Sequence, residues 1–421
     1  MGLNIFEKII KRHSNQKNIN IGDIVEVNVD SVMIHDFFAP FCIDQFNKMG
    51  FKHVIKPDNV VFIYDHLVPI VFPKDVYHHQ VTEEFIKLHK IKNVYRTEGV
   101  CHQIMHEKGH VKPGNIIFGT DSHTVTYGAL GAIATGIGYT EMAVILGTGK
   151  LWMKVPPTIK IVVDGKLKPG VYAKDLILRI LSDLRVDGSN YKVIEFSGST
   201  ISEMSISSRL TLCNMTVEVG AKAGIIEPDE KTIKYLEKYG IDKEFLLDLK
   251  SDKDAVYEKV IHYNAETIEP LVACPYNVDN VKTVDECKYI KIDQAFIGSC
   301  TNGRIEDLEI AAKILKNRKV NKDVRLIIVP ASREIYKKAL NLGYIKTFLE
   351  AGAIVNHPAC GLCCGISGGL MENGEKIIST NNRNFYGRMG EDRVEIYLAS
   401  PATTAASAIS GYITDSRNFL C

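Results

Sequence analysis

Lys plus Arg exceed Asp plus Glu by a formal net charge of only +1. No basic excess exists to attract nucleic acid or anionic lipid, and no acidic one to mark a solvating tail. Apolar runs are short and interrupted, so nothing resembles a membrane span or a secretory leader. The opening Met-Gly has Phe6 where a myristoylation signal wants Ser or Thr. The stretch "MGLNIFEKIIKRHSNQ" therefore reads as a basic amphipathic first helix of a cytoplasmic protein. Ten cysteines in 421 residues are too few for a disulfide scaffold. Those at 42, 101, 213, 274, 287 and 421 stand singly and are expected to be buried, inert thiols. Low-complexity segments and fixed-period repeats are absent as well.

With 45% hydrophobic and 24% charged residues, the composition is that of a globular protein, too long for one core. Apolar strand-like runs alternate with helical stretches, the pattern of an α/β fold. Breaks at "KVPPTIK" and at the turn-rich "CPYNVDNVKTVDE" predict three domains, 1–155, 156–285 and 286–421. In the third, "IDQAFIG" and "VRLIIVPAS" read as strands, "IEDLEIAAKILKN" as a helix, and a further helix leads to the strand "GAIVN".

Parallel sheets collect ligand-binding groups beyond the carboxyl ends of their strands. Asp65 and His66 directly follow "VVFIY"; Asp121, Ser122 and His123 directly follow "IIFG"; Cys300 and Cys360 come just after two strands of the third region. Acids, imidazoles and thiols thus gather at strand ends in two regions, and a cleft between them is the expected active site. Two glycine-rich stretches point elsewhere: "YGALGAIATGIG" lacks the Lys-Ser/Thr of a P-loop and "GTGK" lacks its upstream glycine, so both read as close-packing segments.

The thiols of "HPACGLCCG" admit four chemistries. A thioredoxin-type pair would leave Cys300 without a role. A structural zinc wants two CxxC knuckles, and there is one, Cys360 to Cys363. Simple burial of small residues is the third, and an iron–sulfur cluster, whose iron matches soft thiolates, the fourth. Glycines flanking Cys300, Cys360 and Cys363 would let backbone approach a bulky ligand.

Taken together and in order, "GTDSHT", "IGSCTNGR", the CxxC of "PACGLCCG" and "NRNFYGR" resemble the aconitase superfamily of [4Fe-4S] hydro-lyases. Length and the ending "GYITD" resemble the separate large subunits of its two-chain members. The resemblance implies three α/β/α domains around a [4Fe-4S] cluster held by Cys300, Cys360 and Cys363, with one iron free of protein ligand. Cys364 falls where the family has an apolar residue and is implied to be a bystander. Asp65 and His66 match the acid–imidazole pair that protonates a departing hydroxyl, since a buried carboxylate favours the protonated ring. His102, Glu218 and the group Asp121, Ser122, His123 match further catalytic positions. Asn382, Arg383 and Arg388 match substrate or cluster contacts, arginine because its planar fork grips carboxylate. Asn214 matches a site-lining position and Asn302 a cluster contact.

The resemblance also implies what this chain leaves out. It stops where the family's swivelling domain begins, so a separate small subunit is expected to bring the serine base. "ISSRL" (206–210) is like the family's serine–arginine loop but sits in the wrong place, and reads as a coincidence of composition. Phe37 and Phe38 after His35 and Asp36 depart from the family's small residues, a difference that either reshapes the pocket for the hydroxy acid or packs at a domain contact. A cluster-binding regulator that takes up RNA is the competing class; the neutral charge and the retained acid, imidazole and arginine set favour the enzyme.

Overall fold

Asn4 starts the first helix, Ile5–His13, with a capping box: its side chain accepts from the Glu7 amide, and the Glu7 carboxylate accepts from its own. Ile5, Phe6, Ile9 and Ile10 are buried along one face, while Lys11, Arg12 and His13 close the last turn, where cations suit the helix dipole. The expected amphipathic start is therefore present. The computed structural model describes residues 2–16, 18–240 and 248–420. They fall into two compact units: the first is Met1–Arg96, Ile104–Asp164 and Ser189–Tyr263, the second Thr97–Gln103, Gly165–Gly188 and Asn264–Cys421.

The first unit carries a five-stranded parallel sheet in the order Asn93–Tyr95, Val60–Ile63, Ser31–His35, Ile116–Gly119, Ile133–Gly136. Its central strands are buried along their whole length, which is why "VVFI" and "IIFG" are continuous apolar runs without alternation. A second sheet, Ala223–Ile226, Val193–Ser197, Thr158–Asp164, Lys259–Asn264, belongs to the same unit. The glycine-rich stretch packs as expected. A side chain on Gly128 would run into the carbonyl of Gly224, one of the strand residues of that second sheet.

The second unit holds seven strands, in the order Val281–Thr283, Leu271–Ala273, Glu395–Leu398, Lys376–Ser379, Gln294–Ile297, Arg325–Ile328, Ile354–Val355. The last five run parallel and the first two antiparallel. One departure from the sequence reading concerns the stretch before Ile354. It forms two helices, Arg333–Asn341 and Tyr344–Ala351, because Gly343 takes a left-handed φ of 78° between them. Phe348, Leu308, Leu315 and Ile345 pack beneath the sheet, each fully buried side chain contributing about 1.5–3 kcal/mol. Among the described residues no helix is long and apolar enough to cross a membrane.

Candidate active site

Three neighbouring strands of the first unit, Ser31–His35, Val60–Ile63 and Ile116–Gly119, end in acid and imidazole residues. Asp65 is fully buried, and His66 Nδ1 donates to its Oδ1 at 2.7 Å. That bond fixes the ring and directs Nε2 toward Asp121, whose Oδ2 lies 3.7 Å away. His123 Nε2 lies 2.8 Å from Glu218 Oε1, while its amide donates to Asp121 Oδ1 at 2.7 Å. Ser122 Oγ lies 3.5 Å from His123 Nδ1. Asn214, at the end of the helix Ile206–Asn214, is buried and donates to Thr126 Oγ1 at 2.8 Å. Asp65, His66, Asp121, Ser122, His123, Glu218 and Asn214 therefore all lie in this unit.

Sequence reasoning gave no role to the pair that supports them. Buried Asp36 accepts from the amides of Phe37, His66 and Leu67 at 3.1, 3.0 and 2.9 Å and from His79 Nε2 at 3.2 Å. Burial pulls its pKa up, but the bond from His79, the charge of His66 and the amide of Leu67 outweigh it and hold the carboxyl below its usual range. His35 stacks on His66 with ring centroids 4.0 Å apart, and among the described residues neither of its ring nitrogens has a hydrogen-bond partner. Burial, reinforced by the charge of His66, pushes His35 down to about 4, so it is neutral at pH 7. The available signal was positional, since "HD" follows a strand just as "DH" does. Phe38 sets its edge against His35 at 5.2 Å, and Phe37 stacks on His78 at 5.6 Å.

The second unit gathers the thiols. Cys300 follows the strand Gln294–Ile297 and Asn382 follows its neighbour Lys376–Ser379. Asn382 Nδ2 donates to Cys300 Sγ at 3.4 Å, and Cys363 Sγ donates to Asn382 Oδ1 at 3.8 Å and to Ser299 Oγ at 3.4 Å. The Cys360 thiol lies high in pKa because those of Cys363 and Cys364 contact it and burial adds to the effect. Cys364 instead donates to the Gly361 carbonyl at 3.1 Å. Ser299, a serine held at a φ of 76°, is the backbone outlier of this turn, and its hydroxyl reaches both Cys300 and Cys363. A side chain on Gly365 would meet the Arg388 carbonyl, so the CxxC segment and the arginine loop pack backbone to backbone.

Three supports of this loop were not foreseen. Arg304 is buried and its guanidinium donates to the carbonyls of Thr301, at 2.6 Å, and of Cys300. Asp307 accepts from Asn302 Nδ2 and from the Arg304 amide, both at 2.9 Å, and is pushed up to about 6 by burial, with Arg304 pulling it back. The ammonium of buried Lys174 donates to the carbonyls of Thr380 and Asn381, just before Asn382. Arg383 follows Asn382, and the Arg388 guanidinium lies 5.6 Å from the centre of the Phe385 ring. His102 sits in the helix Cys101–Glu107, after a segment pinned by backbone bonds from Val100 to Ala331 and from Arg333 to Glu98.

Two expectations about other residues are resolved. Arg209 of "ISSRL" is turned inward, its guanidinium donating to the Ile201 and Ser202 carbonyls and to Asp229 at 2.5 Å, a structural ion pair. The scattered cysteines are not all solitary: Cys42 and Cys213 are buried thiols with raised pKa, but Cys274 and Cys287 meet with sulfurs 3.5 Å apart. Cys421 lies outside the described residues.

Strands of one unit thus end in acids and imidazoles, and neighbouring strands of the other lead into a thiol and an arginine-bearing loop. The model of the aconitase family (aconitate hydratase) matches residues 7–290 and 281–411, and the chain belongs to that family. It is 48% identical, over 98% of its length and 99% of the relative's, to the probable 3-isopropylmalate dehydratase large subunit of Methanothermobacter thermautotrophicus. The 3-isopropylmalate dehydratase large subunit 1 of Thermotoga maritima is 50% identical over 100% of both chains. The probable methanogen homoaconitase large subunit of M. thermautotrophicus is 46% identical over 98% of this chain and 97% of its own. Among solved structures, holo aconitase X of Thermococcus kodakaraensis shares the fold at a TM-score of 0.50 and 14% identity, covering 85% of this chain and 84% of its own.

Proposed function

We propose that this chain is the large, cluster-holding subunit of a hydro-lyase that moves a hydroxyl between neighbouring carbons of a hydroxy di- or tricarboxylic acid, namely 3-isopropylmalate dehydratase of leucine synthesis. The names carried by full-length relatives at 48% and 50% identity support the substrate. The observation that carries the chemistry is that Cys300 and Cys363, from distant parts of the sequence, both bond to Ser299 and Asn382.

That donor set fits an iron–sulfur cluster. Three thiols on glycine-lined turns, with hydroxyl and amide groups already facing sulfur, offer soft ligands and hydrogen bonds to them. Cys300, Cys360 and Cys363 would hold a [4Fe-4S] cluster, and Asn302 and Asn382 would line it. When bound, such a cluster with one iron free of protein ligand supplies a Lewis acid for the substrate's hydroxyl and carboxylate.

The rest belongs to the chain's own side chains. Asp65 holds Nδ1 of His66 and so leaves Nε2 as the atom that delivers a proton to the departing hydroxyl. His123 and Glu218, at 2.8 Å, form a second proton-holding pair for the released water, with Asp121 and Ser122 beside it. His102 is a third imidazole of the reaction and Asn214 lines the site. Arg383 and Arg388 grip substrate carboxylates. The division into stretches ending near 155, near 285 and at the C-terminus is part of the same proposal, as is a cytoplasmic location. A separate small subunit, in keeping with the relatives' title of large subunit, brings the base that removes the carbon-bound proton.

The test is anaerobic reconstitution with that small subunit and assay of 2-isopropylmalate, 3-isopropylmalate, homocitrate, citramalate and dimethylmalate with their enoic counterparts. Turnover of the isopropylmalates is expected. The relative titled homoaconitase, at 46% identity, makes homocitrate the second reading, with citramalate- and dimethylmalate-type substrates behind it. Silence across the whole panel overturns the enzyme.

A further inference from the structure

Cys274 directly follows the strand Leu271–Ala273 and Cys287 ends the one-turn helix Val284–Cys287, and their sulfurs lie 3.5 Å apart in the core of the second unit. Cys274 keeps 7% exposure and Cys287 only 1%, so an oxidant from solvent meets Cys274 first. The carbonyl of the same Cys274 accepts from Asn384 Nδ2 at 2.7 Å, and that of Asn277 accepts from it at 3.2 Å. Two residues further along each segment, the rings of Tyr276 and Tyr386 stack at 3.7 Å. The turn that carries one thiol is thus the seat of the loop that carries Asn382, Arg383 and Arg388.

We propose that Cys274 and Cys287 form a redox site, a dithiol that a small-molecule disulfide converts to an internal disulfide, and that its state is transmitted to loop 381–388 through Asn384 and Tyr386. The Cys274 thiolate attacks one sulfur of the oxidant, giving a mixed disulfide and releasing one thiolate, which takes up the proton that Cys274 gave. The Cys287 thiol then loses its proton, attacks the Cys274 sulfur and expels the second thiol. Two electrons leave the pair and two small thiols are formed.

The electrostatics agree with this order of events. The bond from Cys287 lowers the pKa of Cys274 and raises that of Cys287, and the Lys282 ammonium favours the thiolate at both. Closing the bond brings the sulfurs to about 2.05 Å, a contraction of roughly 1.5 Å. Cys287 is held by a helix whose Thr283 and Glu286 cap one another. The contraction therefore falls on the turn at 274–277.

Trypsin cleaves between the two cysteines at Lys282, leaving Cys274 in peptide 260–282 and Cys287 in peptide 283–288. The full-length chain is equilibrated without oxygen in mixtures of reduced and oxidised glutathione, alkylated and digested. A covalently linked pair of these peptides should accumulate with oxidised glutathione, separate on reduction, and be missing from Cys287→Ser and Cys287→Ala. Deuterium uptake across 381–388 should change about twofold between the two states of the wild-type chain. Full alkylation of both cysteines at every ratio overturns the site. A linked pair with unchanged uptake at 381–388 overturns the coupling. Neither readout uses enzymatic activity, so both stand apart from the hydro-lyase reading.

Discussion

His66 Nδ1 donates to the Asp65 carboxylate at 2.7 Å, with Asp65 fully buried and His66 nearly so. A carboxylate can only accept, so it selects the tautomer and steadies the charged ring. Asp65→Asn keeps the shape but offers an amide in its place. Activity of the reconstituted enzyme should fall about 10²–10⁴-fold in kcat with little change in KM. An Asp65→Asn enzyme of near wild-type kcat would show that the pair is structural.

The thiols of "HPACGLCCG" separate by partner. Cys363 and Cys364 both meet the Cys360 thiol, but Cys363 also reaches Ser299 and Asn382, whereas Cys364 donates to the Gly361 carbonyl. Cys363→Ser should abolish cluster assembly, and Cys364→Ser should leave iron and sulfide content nearly intact. Iron and acid-labile sulfide analysis after anaerobic reconstitution decides between them, and exchanged outcomes would reassign the ligand.

Neutral, buried His35 makes a pH prediction with a definite sign. Its pKa falls from 6.5 to about 4 on folding, so the unfolded chain binds its proton first as pH drops. The stability involved is complete above pH 6.5 and is lost between 6.5 and 4, up to about 3 kcal/mol. His110, also pushed down to about 4, adds in the same sense, while Asp175, pushed up to about 7, opposes it. The difference between wild type and His35→Gln isolates the one ring. Urea unfolding at several pH values should show a shallower acid loss in the variant.

Arg304 braces the turn at Cys300 through the Thr301 and Cys300 carbonyls and faces Asp307. Lysine keeps the charge but cannot fork. Arg304→Lys should cost about 2 kcal/mol, read as a lower urea midpoint with an unchanged m-value. An unchanged midpoint would remove the guanidinium from the supports of this turn.

Much of this protein was legible along its length. Continuous apolar runs such as "VVFI" and "IIFG" read as buried parallel strands and are so, and the expected site residues Asp65, His66, Asp121, His123 and Cys300 stand beyond the carboxyl ends of such strands. Local chemistry alone determined these, because strand burial and capping depend on near neighbours. What tertiary structure decided is which distant groups meet. Ser299 bridges two thiols because a left-handed turn aims its hydroxyl, and Lys174 supports Asn381 from two hundred residues earlier in the chain. Arg209 turns inward to Asp229, and Cys274 finds Cys287 across a strand and a helix. A single sequence records composition and period, and neither encodes the long-range closure that brings such pairs within bonding distance.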